Sequence, residues 1–196
     1  MANHAAKRLS RVRLSTPFGI THIGTATAIF HLPALGINLL TDTVFSPAGT
    51  DPAQLPPIEV VLLSHEDHAD NLDEPGRLLL DGRKVLTTVD GANKLAPRPG
   101  VRGLRPWEKV GLDIGGKKLE VVGTPCQHLP GGECTGFIIL ADEFGLTDGR
   151  PNAIYFSGDI YRSIEHWQSH DSAPSLCHTD PDHYGWKTSS KAISRY

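Results

Sequence analysis

Residues 58–73 read IEVVLLSHEDHADNLD, and the change of character within them decides how the rest of the chain is read. Ile58, Val60, Val61, Leu62 and Leu63 form an almost unbroken apolar run, interrupted by Glu59, as in a strand buried on both faces. Ser64-His65-Glu66-Asp67-His68-Ala69-Asp70-Asn71 then turns abruptly polar, so the strand ends near Leu63. Two imidazoles and several carboxylates on a rigid stem offer neutral nitrogens and anionic oxygens, the donors a borderline divalent cation takes. A plainer account uses the same residues as a strand-to-helix loop in which Asp70 or Asp73 caps the helix that follows.

The bulk properties narrow the function classes. A chain of 196 residues is one ordinary domain with room for a real core. An apolar content of 39% with 21% charged residues belongs to a folded globular protein, and a net charge of -3 argues against nucleic acid as the main partner. Cys126, Cys134 and Cys177 are an odd number without C-x-x-C spacing, which reads as reduced thiols inside a cell. No apolar run reaches membrane-spanning length and no secretory signal is visible. Before Asp42 there is no acidic residue, whereas Lys7, Arg8, Arg11 and Arg13 cluster early. Residues 1–17 are therefore either an organellar presequence or a flexible basic leader. The leader is preferred, with the protein in the cytoplasm.

From Phe18 the chain reads as strands separated by turns. Residues 19–30 are rich in β-branched side chains, and residues 34–42 form a second run after Pro33, so the two are expected to pair as a hairpin. Residues 72–82 read as a short helix closed by Gly82, residues 85–89 as a buried strand, and residues 91–96 as a helical turn. Gly115-Gly116 between two alternating segments signals a hairpin. Residues 135–141 and 153–157 complete the set. The expected class is α/β, two packed sheets with helices outside. Apolar strands repeatedly end in a potential ligand: His65 and His68 after residues 60–63, His128 after residues 119–122, and Asp159 after residues 154–156.

With those motifs in hand, the chain resembles the metallo-β-lactamase superfamily, in particular the branch containing ascorbate-phosphate lactonases and N-acyl-phosphatidylethanolamine phospholipase D. The resemblance runs from about Gly19 to Asp159 and rests on His-Ile-Gly-Thr-Ala-Thr, Leu-Leu-Thr-Asp, Ser-His-Glu-Asp-His-Ala-Asp-Asn-Leu-Asp, Thr-Pro-Cys-Gln-His and Phe-Ser-Gly-Asp. It implies an αββα sandwich of two mixed sheets with outer helices, over residues 18–166, incomplete at the C-terminus. The family's H-x-H-x-D-H signature departs here to H-x-x-H-x-D-N, with Ser64 ahead and Leu72-Asp73 behind. The register that respects both flanks puts His65 and His68 at the first two histidine positions, Asp70 at the aspartate and Asn71 at the last histidine. A rival register uses His65, Asp67 and His68, and leaves Leu63 where the first histidine belongs.

Under the first register the resemblance implies a three-nitrogen metal position made by His65, His68 and His128, with its fourth place open for water. A second position would depend on Asp70, a bridging Asp159 and a distal histidine, with Asn71 giving only a neutral oxygen. One tightly held zinc is expected, with a second metal weak or absent, and manganese or iron as other occupants. The reaction class implied is hydrolysis of a small-molecule ester, lactone or phosphodiester, with Asp70 orienting the water and accepting its proton. The oligomeric state is left open.

Other residues have plainer roles. His22 and His31 are read as ordinary polar residues of the first hairpin, Thr25 standing where this branch often has a histidine. Asp42 is either a partner of a ligand histidine or a turn-forming aspartate, Asp159 also fits an Asx turn, and Cys126 is read as a small buried residue. Residues 167–196 show neither helical nor strand period. His183 in this tail is either a remnant distal ligand or part of a frameshifted or mis-spliced end, which the coding DNA would reveal. The alternative to the hydrolase is a degenerate, non-catalytic protein of the same fold, kept for binding or scaffolding or a non-functional truncated product.

Overall fold

The computed structural model describes residues 13–128, 131–158, 162–163 and 175–179. The basic residues Lys7, Arg8 and Arg11, and Asp159 and His183, lie outside them. Two sheets pack face to face. The first is built in chain order from β1 (Gly19–Gly24), β2 (Thr27–Leu32), β3 (Ile37–Thr41), β4 (Val60–Leu62), β5 (Lys84–Thr88) and β6 (Val101–Leu104). Its first three strands are antiparallel; from β3 to β6 the pairing is parallel. The parallel crossovers carry the short helices α1 (Glu74–Leu79) and α2 (Val89–Leu95).

The second sheet contains β7 (Lys109–Ile114), β8 (Lys117–Gln127), β9 (Thr135–Leu140), β10 (Leu146–Thr147), β11 (Arg150–Phe156), β12 (Arg162–Ser163) and β13 (Ser175–Thr179). Its strand order is β10-β11-β9-β8-β12, with β7 also on β8 and β13 also on β11. The turn between β7 and β8 uses Gly115 and Gly116 at φ of 59° and 82°, a left-handed pair that suits a tight hairpin.

The alternation along β4 explains the layering. Val60 and Leu62 point between the sheets, where they join Phe30, Leu39 and Leu86 against Val121, Phe137, Ile139, Ile154 and Phe156. Val61 and Leu63 point the other way, into a second cluster with Ile29, Leu40 and Val85 that is closed by Leu72, Leu79, Leu80 and Leu95 from the helical layer. A strand buried on both faces must be apolar at every position, and β4 is. The outer face of the second sheet holds a smaller buried cluster of Val122, Ile138, Ala153 and Tyr155.

Three differences from the sequence reading stand out. Residues 19–30 are two strands, because Thr25 takes φ of 45° and turns the chain back after Gly24. The start is thus a three-strand meander rather than one hairpin. Residues 101–104 form β6, too short for a period to be visible. In the tail, β13 pairs parallel with β11 despite its lack of alternation, since an open strand edge needs only main-chain donors and acceptors.

Topology brings the functional ends together. The parallel strands β3, β4 and β5 deliver Asp42, Ser64-His65 and Thr88 to one edge. Both β8 and β11 run antiparallel to β9, so their ends meet its beginning. At this edge the Thr135 N–H donates to the Ser64 carbonyl at 3.0 Å, joining the two sheets. Gly158, at φ of +68°, passes so close that a Cβ there would lie 2.6 Å from Ser64 Cβ.

Candidate metal centre

His65 and His68 leave the end of β4 three residues apart, and His128 follows the end of β8. One ligand atom from each lies within 4.8 Å of the others, and no further His, Cys, Asp or Glu joins that group among the described residues. The rings stand 4.5 to 5.1 Å apart, centroid to centroid. Packing imidazoles this closely without an anion or a cation between them brings lone pairs and N–H dipoles together at no gain, whereas a shared cation turns the same crowding into coordination. His65 is 1% exposed, and its Nε2 is buried with no hydrogen-bond partner among the described residues.

The other nitrogen of His65 explains why. Ser64 Oγ lies 3.0 Å from His65 Nδ1 and 3.1 Å from Asp42 Oδ2. Asp42 also accepts the Ser64 backbone N–H at 2.7 Å and an Asn71 Nδ2 hydrogen at 3.1 Å, the surroundings of an ionised carboxylate. A carboxylate can only accept, so the single hydroxyl hydrogen of Ser64 goes to Asp42. Ser64 Oγ is then an acceptor toward His65, which places the ring proton on Nδ1 and leaves the Nε2 lone pair free for a cation. Asp42 is fully buried with φ of 38°, a left-handed conformation that Asp tolerates better than most residues. Asp42 thus turns the chain at the end of β3 and also partners His65 through Ser64.

Asn71 belongs to the same network. It is fully buried, and its Nδ2 reaches Ser64 Oγ at 3.2 Å as well as Asp42. Its amide nitrogen is therefore spent beneath His65, and its Oδ1 is buried without a hydrogen-bond partner among the described residues. Asp70 stands at the rim: its side chain is 55% exposed and its Oδ1 lies 3.7 Å from His68 Nδ1, outside the histidine group. Thr25 Oγ1 reaches the Asp70 carbonyl at 3.2 Å, so the first turn of the chain braces this loop. Leu63, where the rival register places the first histidine, is fully buried in the core. Asp159 follows Gly158 but falls outside the described residues.

The acidic residues between the two histidines have other partners. Glu66 is buried, with Lys94 Nζ at 2.8 Å and Arg77 Nη2 at 3.7 Å, and so anchors the loop to α2 and α1. Asp67 accepts the Gly132 N–H at 2.7 Å. Partial burial pushes the Asp67 carboxyl up, but that bond, its own N–H and the nearby His65 and His68 together outweigh burial and hold it below its ordinary value. A Cβ on Gly131 would lie 3.1 Å from both Asp67 Oδ2 and His68 Nε2, so Gly131 packs tightly against this loop. Asp73, one of the two cap candidates, is the N-cap of α1: it accepts from Gly76 N at 2.9 Å and also from Phe45 N and Ser46 N.

A cleft of about 410 Å³ opens beside the triad, lined by His128, Cys126, Cys134, Glu133, Thr88 and Leu104 among others. Cys134 Sγ lies 3.9 Å from His65 Nδ1. The sequence did not single out Cys134, Glu66 or the supporting role of Ser64. The only local signal was their place next to strand ends that also carry histidines, and their partners come from segments distant in the chain.

No protein-family profile matches the chain, and no curated protein does. Solved structures do. Igni18, a metallo hydrolase of the hyperthermophilic archaeon Ignicoccus hospitalis, aligns at 19% identity with a TM-score of 0.53, over 73% of this chain and 61% of its own. The metallo-beta-lactamase fold protein YhfI of Bacillus subtilis aligns at 16% identity and TM-score 0.42, over 74% and 60% of the two chains. The metallo-beta-lactamase FIM-1 of Pseudomonas aeruginosa, in its mono-zinc form, aligns at 12% identity and TM-score 0.37, over 71% and 68%. The matched region spans about 61% of the length of Igni18, and identity this low speaks to the fold alone. The fold, two mixed sheets packed face to face with short helices outside the first, is shared with Igni18. Among the described residues no helix is long and apolar enough to cross a membrane.

Proposed function

We propose that this chain is a metal-dependent hydrolase whose cation is held by His65, His68 and His128. The observation that carries the reading is the triad itself, three imidazoles with ligand atoms within 4.8 Å, one of them with a buried Nε2 that meets no hydrogen-bond partner among the described residues. The donors fit zinc, which takes three neutral nitrogens and keeps a fourth place open; manganese or iron are the other candidates. When bound, such a cation supplies Lewis acidity, lowering the pKa of a water from 15.7 toward about 7 and polarising a carbonyl or phosphoryl oxygen.

The chain's own residues do the rest. The Asp42–Ser64 relay keeps His65 in one tautomer and orientation, and the Lys94–Glu66 ion pair holds the loop between the histidines against α2. Asp70, at the solvent-facing rim beside His68, is the group we assign to orient the attacking water and take its proton. The cleft beside His128 suits a small molecule, and an ester, lactone or phosphodiester is the substrate class. Within the fold we assign the chain to the branch of ascorbate-phosphate lactonases and N-acyl-phosphatidylethanolamine phospholipase D, on Thr124-Pro125-Cys126-Gln127-His128 and the Ser64 and Leu72-Asp73 flanks. A second cation would be weak, because the Asn71 amide nitrogen is committed to Asp42 and Ser64 and Asp70 stands apart from the triad. The compartment we propose is the cytoplasm, on three cysteines without C-x-x-C spacing.

Elemental analysis of gently purified protein tests this directly. About one zinc, manganese or iron per chain is expected, falling to background in His65→Ala and His128→Ala. A hydrolysis screen over lactones, thioesters and phosphodiesters should show an activity that both substitutions abolish. Metal-free protein, or metal content indifferent to both substitutions, overturns the proposal.

A further inference from the structure

We infer that Cys126 and Cys134 form a reversible dithiol–disulfide pair in the wall of the cleft, a modification site beside the histidine group. Strands β8 and β9 are antiparallel, with Thr124 opposite Gly136 and Pro125 opposite Thr135. The ladder ends there, and the same register continued by one step would set Cys126 across from Cys134. Directly opposed residues of an antiparallel pair have Cα atoms roughly 4.5–5.5 Å apart and side chains on one face. That separation lies within the roughly 4.4–6.8 Å that a disulfide spans.

The contact between the side chains agrees. Neither cysteine is in a disulfide, both are half-buried, and both line the cleft, so a small oxidant can reach them. The Cys126 side chain is a hydrogen-bonding neighbour of Cys134; that bond first, and burial second, push the Cys134 thiol well above its ordinary range. Chance does not account well for two thiols set face to face in strands that belong to one edge of one site, when the chain has only three cysteines.

The oxidant we name is a low-molecular-weight disulfide such as glutathione disulfide. One protein thiol gives up its proton and attacks a sulfur of the small disulfide, releasing one small thiol and leaving a mixed disulfide. The second protein sulfur then attacks the protein-side sulfur of that bond, releasing the second small thiol. The protein loses two hydrogens, the two small thiols gain them, and a reducing thiol runs the sequence backward.

The experiment uses the full chain in glutathione redox buffers with EDTA present, so that bound metal neither shields nor bridges the sulfurs. Samples are quenched with acid, alkylated and digested. Glu133 lies between the two cysteines, so a glutamyl protease separates them into different peptides unless a disulfide joins them. The expected result is a linked pair of peptides carrying Cys126 and Cys134, rising from under about a tenth to over about nine-tenths of the protein as the buffer is made oxidising, and lost again with dithiothreitol. A Cys177→Ser chain should behave the same. Protein that stays fully alkylatable in every buffer, that stops at glutathione adducts, or that links either residue to Cys177 instead overturns the inference. None of these readouts depends on the metal, so failure here leaves the hydrolase proposal standing and the converse also holds.

Discussion

Replacing Asp42 with Asn tests the relay beneath His65 with almost no change of shape. Among the described residues, Asp42 accepts from Ser64 N at 2.7 Å and from Ser64 Oγ and Asn71 Nδ2 at 3.1 Å each. Its φ of 38° suits Asn as well as Asp, so the backbone does not confound the result. If the amide oxygen keeps the Ser64 N–H, the new NH2 sits where Oδ2 accepted from Ser64 and Asn71. The Ser64 bond can invert, but two NH2 groups then face each other. Turning Asn71 over relieves this only by burying its NH2 where its Oδ1 now has no partner among the described residues.

Hydrogen bonds to a charged group are each worth about 1.5–3 kcal/mol, and a neutral one about 1 kcal/mol. Two lost and one recovered as a neutral bond make Asp42→Asn less stable by about 2–5 kcal/mol, a large share of the roughly 5–15 kcal/mol that holds a domain together. The second consequence is chemical. Ser64, now receiving a hydrogen from residue 42, turns its own toward His65 Nδ1 and moves the ring proton to Nε2. Zinc affinity should fall about 10–100-fold, the usual effect of losing a partner behind a metal-binding histidine. Urea denaturation of chelator-treated protein reads the first effect, competition with a chromophoric chelator the second, and nitrogen NMR of the imidazoles the tautomer. A variant as stable as the parent with His65 still protonated on Nδ1 refutes the relay.

Three further outcomes follow from the same geometry. Asp70→Asn should leave zinc content unchanged, since the residue stands outside the triad, while lowering hydrolytic kcat by about 10²–10⁴-fold, read by steady-state kinetics at saturating metal. Gly158→Ala should cost about 2–4 kcal/mol in urea denaturation, because a Cβ at φ of +68° is strained and would sit 2.6 Å from Ser64 Cβ. At Asp73, burial raises the carboxyl but the N–H groups of Ser46, Gly76 and Phe45 outweigh it, so the folded pKa lies below the ordinary 3.8. Its contribution is fully present above that value and is lost as pH falls through the lower folded one. Asp73→Ala should therefore be less stable than the parent by about 1–2 kcal/mol at pH 7, with the gap closing in acid, as measured by denaturation across pH.

Much of this protein is legible in its sequence because the informative interactions are local. The apolar run Val60 to Leu63 reads as a strand covered on both faces, and its sudden end forces polar groups to that edge; Gly115-Gly116 turns the chain; Asp73 followed by Gly76 caps a helix. The order of strand ends was enough to nominate His65, His68 and His128, because ligands on stiff strands have few places to point. Tertiary structure alone decided the rest. Which histidine nitrogen faces a cation depends on a hydrogen that passes from Ser64 to Asp42, residues set side by side by the parallel pairing of β3 with β4. Asn71 braces this network because its amide nitrogen meets that same carboxylate, and the pairing of β8 with β9 carries Cys126 and Cys134 to the wall of one cleft. Such contacts join side chains from separate segments, and no local pattern encodes them, since hydrogen bonds and thiol pairs depend on distances that only the packed sheets set.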